Sequence, residues 1–256
     1  MTDETAWCAY KFLAPGEAIV PGHTALIVLN QPVCRRSVLE SVWRNASLRI
    51  CADGGANRLF DAFEDNVQRA LFIPDYIRGD LDSIRPEVRV WYEQQGVSVG
   101  VVEDQYSTDF QKCLHLLGQV ESERGIKFDR VLVLGGIGGR FDQTMHNIHV
   151  LHLLGRSRVL YMISNESVSF LLMPGKHRIE CSKAIEGPTC GILPIGTAVA
   201  NVITHGLKWD LDETMPSSFS QLVSTSNQFP DDSGPQPQIH VETDAPVVWT
   251  VEVHLY

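Results

Sequence analysis

The chain has 256 residues, 44% of them hydrophobic and 20% charged, which is enough for one large domain or two ordinary ones without an external staple. A formal net charge of -10 argues against a nucleic-acid backbone as the main partner, because neutralising phosphates requires clustered Lys and Arg. An acidic protein suits cations, including metal-bound nucleotides and positively charged small molecules.

The six cysteines, at 8, 34, 51, 113, 181 and 190, form no CxxC pair and no zinc-like spacing, so reduced thiols in a cytoplasmic protein are expected. No apolar run is long enough to span a membrane, and MTDETAWCAYKFLAPGE is acidic and mixed, unlike a signal or a basic transit peptide.

Residues 1–22 lack a clear period and contain Pro15, Gly16, Pro21 and Gly22, which reads as a lead-in arm. HTALIVLN at 23–30 is a short apolar run of the kind expected for a strand covered on both faces. A helix is expected over 35–45, facing inward through Val38, Val42 and Trp43, and then LRICAD at 48–53 reads as a second strand ending on Asp53. Gly54 and Gly55 stop it, and a helix follows with Leu59, Phe60 and Phe63 on one side.

The same order repeats. IRGDLDSIRPE at 77–87 leads into a helix with Val88, Trp91 and Tyr92, VSVGVV at 97–102 is a strand, and STDFQKCLHLLGQV places Phe110, Cys113, Leu114 and Leu117 on one helix face. DRVLVLG at 129–135 is a strand, GIGGR a turn, FDQTMHNIHVLHLL a helix and SRVLYMIS at 157–164 a strand. Alternation of this kind predicts a mostly parallel, doubly wound α/β domain, with ligands at the carboxyl ends of its strands.

Beyond residue 165 the helical spacing fades, and short strand-like runs stand between Gly, Pro and Ser clusters: SVSFLLM, TCGILPI, SQLVSTSN, QIHVET and VVWTVEVHL. They predict a C-terminal antiparallel β-sandwich. We place the boundary between 164 and 176, giving an α/β domain over 1–170 and a β domain over 171–256. The segment QFPDDSGPQPQ at 228–238 reads as a mobile polar loop.

In this layout Asp53, Asp80, Asp82 and Asp109 all fall at strand ends or helix starts along one edge of the sheet. An extended GDLDS segment would put the Asp80 and Asp82 side chains on one face, with Cα atoms roughly 7 Å apart, able to share a cation. Each aspartate, and Ser83 beside them, could instead cap a helix. Four carboxylates at one edge call for an offsetting cation, because like charges crowded together repel.

GGIGGRFDQ at 135–143 lies between a strand and a helix, where backbone N–H groups can cradle phosphate and Arg140 can add a bidentate contact. Neither GxGxxG nor GxxxxGK[ST] is present, so any ATP handling proceeds without the common P-loop. His146, His149 and His152 recur every three residues; that step drifts around a helix and describes a polar face rather than a metal site.

Taken together, these segments resemble thiamine pyrophosphokinases of the eukaryotic type. The resemblance is carried by VLNQP at 28–32, CADGGANRLFD at 51–61, GDLDSIRPEV at 79–88, DQYSTDFQKCL at 104–114, LGGIGGRFDQ at 134–143, PGKHRI at 174–179, GLKWDL at 206–211, LVSTSN at 222–227 and TDAPVVWT at 243–250. It implies transfer of the pyrophosphoryl group of ATP to the hydroxyethyl oxygen of thiamine, with Mg²⁺, in a homodimer whose active sites lie between subunits. It also implies catalytic Asp53, Asp80, Asp82 and Asp109: Mg²⁺ is expected on Asp80 and Asp82 with Asp53 assisting, while Asp109 either orients or deprotonates the thiamine hydroxyl or joins the metal shell. ATP contacts are expected from Gly54, Gly55, Asn57, Gly138, Gly139, Arg140 and Asp142, and thiamine contacts from Gln105, Trp209, Ser224 and Asn227. A metal-dependent nucleotide hydrolase and a non-catalytic thiamine sensor are the alternatives.

Overall fold

The structure, a computed structural model, describes residues 4–16, 22–33 and 35–254. The chain separates into two compact units, residues 18–147 with 162–165 and residues 1–17, 148–161 and 166–256. The lead-in residues form β1 (Thr5–Trp7) and α1 (Tyr10–Leu13) and belong to the second unit.

The first unit alternates strands and helices as the periodicity predicts. β2 (Thr24–Val28), α2 (Arg36–Asn45), β3 (Leu48–Ala52), α3 (Gly55–Asp61), α4 (Asn66–Arg69) and β4 (Tyr76–Gly79) are followed by α5 (Pro86–Gln94), β5 (Ser98–Val101), α6 (Asp109–Arg124) and β6 (Arg130–Leu134). All five residues of β2 are buried, which is why its sequence is a continuous apolar run rather than an alternation. The strand order is β6-β2-β3-β4-β5, with every neighbouring pair parallel. Successive strands therefore march outward from β2 to β5, and the chain then returns to lay β6 on the other side of β2. The reversal between β2 and β6 opens a crevice at their carboxyl ends.

Two local signals fix α6, the longest helix of this unit. Thr108 caps it with a reciprocal capping box to Gln111, and it ends on Gly125 in the left-handed region (φ 64°). Its inner face carries Phe110, Cys113, Leu116, Leu117 and Val120, all buried, with Lys112 buried among them. Ser83, a candidate cap for α5, does not cap it: Arg85 precedes the helix without a side-chain cap and Pro86 occupies its first turn.

α7 (Phe141–Leu154) and β7 (Val159–Ile163) follow, and the division between the units falls within both. The second unit is built from β8 (Ser167–Leu172), β9 (Gly175–Glu180), β10 (Glu186–Leu193), β11 (Val202–His205), β12 (Ser224–Gln228), β13 (Gln238–Thr243) and β14 (Val247–Val253). They hydrogen-bond in the orders β12-β10-β14-β8 and β1-β9-β13-β11, antiparallel except where β1 runs parallel to β9. The β-sandwich expected from the C-terminal texture is thus present, with a strand lent by the N-terminus.

Two expectations are corrected. The lead-in residues are not a bare arm: Trp7 stacks on Phe170 with ring centroids 4.5 Å apart, and its Nε1 donates to His177 Nδ1 at 3.1 Å. A three-residue strand is too short to show a period. Residues 228–238 are tied down rather than mobile. Phe229 is buried, Lys183 Nζ donates to the carbonyls of Pro230 (3.0 Å) and Ser233 (2.6 Å), and the N–H groups of Cys181 and Lys183 reach Pro237 and Pro235. The acceptors are the segment's backbone carbonyls, while Asp231, Asp232 and Gln236 stay exposed.

Glu186 is buried at the start of β10, where its side chain accepts from Ser182 N at 3.4 Å, and burial pushes its carboxyl up to about 8. The folded protein therefore keeps a proton that the unfolded chain loses near the ordinary glutamate value of 4.5. This contribution to stability is fully present below about pH 4.5 and is lost as pH rises through about 8. Glu186→Gln, neutral at every pH, is expected to flatten the decline. Thermal unfolding from pH 5 to 9 should show the wild type losing about 4 °C or more that the variant keeps; parallel curves would assign the decline to another group.

Candidate active site

The crevice predicted by the strand order contains a cavity of about 340 Å³. Leu29, Asn30 and Gln31 after β2, Ala52 in β3, Asp80 after β4, Asp104, Gln105, Ser107, Thr108 and Asp109 before and at the start of α6, and Gly135, Gly138 and Arg140 after β6 line it. Every contributor stands at or beyond a strand's carboxyl end.

Beside this cavity Asp53, Asp80 and Asp109 each offer a carboxylate oxygen, all within 4.8 Å of one another. Asp53 leaves β3 in the left-handed region (φ 42°), and its side chain caps no helix. It crosses to the next loop, accepting from Ser83 N at 3.1 Å and Ile84 N at 2.9 Å. Burial pushes its carboxyl up to about 6; the two N–H donors oppose the shift, and the charges of Asp109 and Asp80 add to it. Gly79 permits the convergence, since a Cβ there would fall 2.6 Å from Asp53 Cβ and 3.0 Å from Asp109 Oδ1.

Asp82 does not join them. β4 ends at Gly79 and Leu81 takes φ 63°, so the i, i+2 alternation expected of an extended GDLDS is broken. Asp82 is exposed and accepts from its neighbour Ser83 Oγ at 2.8 Å.

Lys112 is the cation that residue patterns did not disclose. Its side chain is 2% exposed, with Nζ 3.1 Å from Asp109 Oδ1 and 3.7 Å from Asp80 Oδ2. Burying an ammonium costs several kcal/mol unless it is paired, so these carboxylates are what keep it there. The available signal was a lysine inside the apolar face of α6, three residues after Asp109.

The remaining expected nucleotide contacts divide. Gly55 serves packing, because a Cβ would lie 2.2 Å from the Val28 carbonyl oxygen. Gly54, the residue before α3, faces the Asn30 side chain, whose Nδ2 a Cβ would approach to 2.4 Å. Asn57 holds the aspartate loop, donating to Ser83 O at 2.8 Å and accepting from Arg85 N at 3.0 Å. Gly138 and Gly139 take φ 111° and 66°. Arg140 and Asp142 are exposed and paired, Nε to Oδ1 at 3.1 Å, which holds the Asp142 carboxyl below its ordinary range. Gln105 lines the cavity with Asp104 and Thr108, neither of them singled out from sequence. His146 and His152 go to separate partners, Thr108 Oγ1 at 3.0 Å and Ile195 O at 2.8 Å, as a drifting three-residue step implies.

Trp209, Ser224 and Asn227 form their own group in the second unit. Asn227 Nδ2 donates to Trp209 O at 2.8 Å and Ser224 Oγ at 3.4 Å, presenting a Trp209 ring that is 55% exposed. Lys208 Nζ lies 5.3 Å from that ring's centroid, so the ring already faces one cation.

The donor set of the carboxylate cluster is all oxygen, without His or Cys, which suits a hard divalent cation. Among the described residues no helix is long and apolar enough to cross a membrane.

Residues 39–162 match the family model described as "Thiamin pyrophosphokinase, catalytic domain", and residues 176–248 match "Thiamin pyrophosphokinase, vitamin B1 binding domain". Thiamine pyrophosphokinase 3 of Oryza sativa subsp. japonica is 39% identical over 239 residues, 90% of this chain and 86% of the relative. The solved thiamin pyrophosphokinase from Candida albicans has a TM-score of 0.83 at 28% identity, covering 98% of this chain and 93% of its own. The crystal structure of the yeast protein has a TM-score of 0.83 at 29% identity, covering 99% and 93%.

Gly79→Ala tests the close approach of the aspartates. The added methyl is expected to lower stability by about 1–3 kcal/mol and to weaken Mn²⁺ binding by about tenfold or more, measured by thermal unfolding and titration calorimetry. Unchanged Mn²⁺ affinity would show that the cluster does not depend on this glycine.

Proposed function

This chain belongs to the thiamin pyrophosphokinase family, and from that premise we propose that it transfers the pyrophosphoryl group of ATP to the hydroxyethyl oxygen of thiamine, yielding thiamine diphosphate and AMP. The observation that carries this reading is the Asp53, Asp80 and Asp109 cluster beside a cavity whose far wall is the glycine-rich turn of Gly135, Gly138 and Arg140.

Phosphoryl-type transfer needs positioning and charge neutralisation more than covalent chemistry by the protein. We assign Mg²⁺ to Asp53, Asp80 and Asp109, where it would offset the charge of the triphosphate. Asp82, outside the cluster, contributes negative charge at the edge of the site instead of a ligand. Arg140 exchanges Asp142 for phosphate oxygens, the backbone N–H of Gly139 adds a donor, and that of Gly138 would exchange its bond to Thr144 Oγ1 for the same use. Thiamine's thiazolium is a cation that suits the exposed face of Trp209, with Ser224 and Asn227 holding that indole in place; the assignment of Gln105 to thiamine rests on the resemblance. The homodimer with intersubunit sites is part of this reading and rests on the resemblance. So does the division of labour between an ATP-binding N-terminal domain, 1–170, and a thiamine-binding one, 171–256. Residence in the cytoplasm, also part of this reading, rests on six cysteines without paired spacing.

Three predictions test the reading. With ATP, Mg²⁺ and thiamine, AMP is expected to appear in step with thiamine diphosphate. ADP would make the protein an ordinary kinase, phosphate release without thiamine a hydrolase, and binding without turnover a sensor. Asp80→Asn is expected to lower kcat by about a hundredfold or more with the circular dichroism spectrum preserved; full activity would remove Asp80 from the metal role. Trp209→Ala should raise the KM for thiamine by about tenfold while the KM for ATP holds, and an equal rise in both would place the indole elsewhere.

A further inference from the structure

Lys112 presents a physical problem that the proposed reaction does not solve. A lysine rarely sits at 3% exposure, and this one stands on α6, a helix whose inner face is otherwise apolar. Among the described residues its ammonium makes one hydrogen bond, to Asp109 Oδ1 at 3.1 Å, although an ammonium carries three donors. The contact with Asp80 Oδ2, at 3.7 Å, is electrostatic without being a hydrogen bond. The same side chain lines the cavity. Lys112 is held mainly by charge, by two of the three carboxylates suited to a divalent cation.

We infer that Lys112 is the resident counter-cation of the Asp53, Asp80 and Asp109 cluster, that it yields Asp80 and Asp109 to a divalent cation, and that its ammonium then serves phosphate oxygens in the cavity it lines. The inference rests on the metal-dependent reading above and deepens it. Three features make the exchange feasible. The backbone of Lys112 is fixed four residues into a capped helix, so only its four-carbon stem has to move. Its two carboxylate partners sit on different elements, Asp80 after β4 and Asp109 at the start of α6, so its charge holds them together when no metal does so. A single positive charge against three carboxylates also leaves the cluster open to a stronger cation.

The opposed signs of two measurements on Lys112→Met provide the test. In nucleotide-free protein, Mn²⁺ alone is titrated by calorimetry and by electron paramagnetic resonance. Removing the competing charge is expected to tighten Mn²⁺ binding by about tenfold or more, and Mn²⁺ should raise the melting temperature of the variant more than that of the wild type. In turnover, kcat is expected to fall by about a hundredfold, with the KM for thiamine within about threefold. A lysine that merely props up the helix would weaken Mn²⁺ binding when removed, so unchanged or weaker binding by folded Lys112→Met overturns the inference. If the variant does not fold in chelator, ¹⁵N NMR of the wild-type lysine ammonium groups puts the same question. A Lys112 signal that shifts on adding Mg²⁺ supports the exchange, and one that stays put refutes it. The Mn²⁺ titration contains neither ATP nor thiamine, so a wild type that makes no thiamine diphosphate would defeat the activity reading and leave this result standing.

Discussion

Three carboxylate oxygens within 4.8 Å of one another repel, and the surrounding chain is arranged to hold them there. Two unit charges 4 Å apart interact with about 4 kcal/mol at an effective dielectric constant near 20. A hydrogen bond to a charged group returns about 1.5–3 kcal/mol. The two backbone N–H groups that Asp53 accepts are therefore of the magnitude needed to offset one neighbour, and burial still pushes its carboxyl up to about 6. Lys112 supplies the rest of the compensation from α6. Gly79, with no side chain, leaves the space in which Asp53 and Asp109 approach.

The parallel sheet makes this crowding possible. β3 and β4 are adjacent and point the same way, so Asp53 and Asp80 emerge at one edge, and the chain leaving β5 brings Asp109 to the same edge as α6 begins. The reversal between β2 and β6 then opens the crevice, and the glycine-rich turn after β6 closes its other side. Asn57 links α3 to the aspartate loop through the backbone of Ser83 and Arg85. Loop and helix are thereby one rigid support for the acidic groups.

The second unit solves a different problem, the presentation of an exposed indole. Asn227 spends its amide on the backbone of Trp209 and on Ser224, so the ring stands out at 55% exposure without being loose. Chain ends and polar segments serve this unit's own packing. Trp7 enters from the N-terminus to stack on Phe170, and Lys183 fastens the segment after β12 through carbonyl oxygens. The mobility expected of 228–238 came from its Pro, Gly and Asp content; the backbone carbonyls that its turns offer to a lysine are invisible in composition.

What the sequence determined by itself is whatever depends on neighbours along the chain. Apolar runs and helical spacing gave the strands and helices of the α/β part, the change of texture gave the β-sandwich, and four aspartates at strand ends gave the acidic edge. Family segments spread over the chain then gave the chemistry. Tertiary structure alone decided which carboxylates converge. A left-handed Leu81 swings Asp82 out, a glycine admits Asp109 beside Asp53, and Lys112 reaches from α6 to Asp80 on the loop after β4, because charge and van der Waals contact act through space between residues that no local period connects.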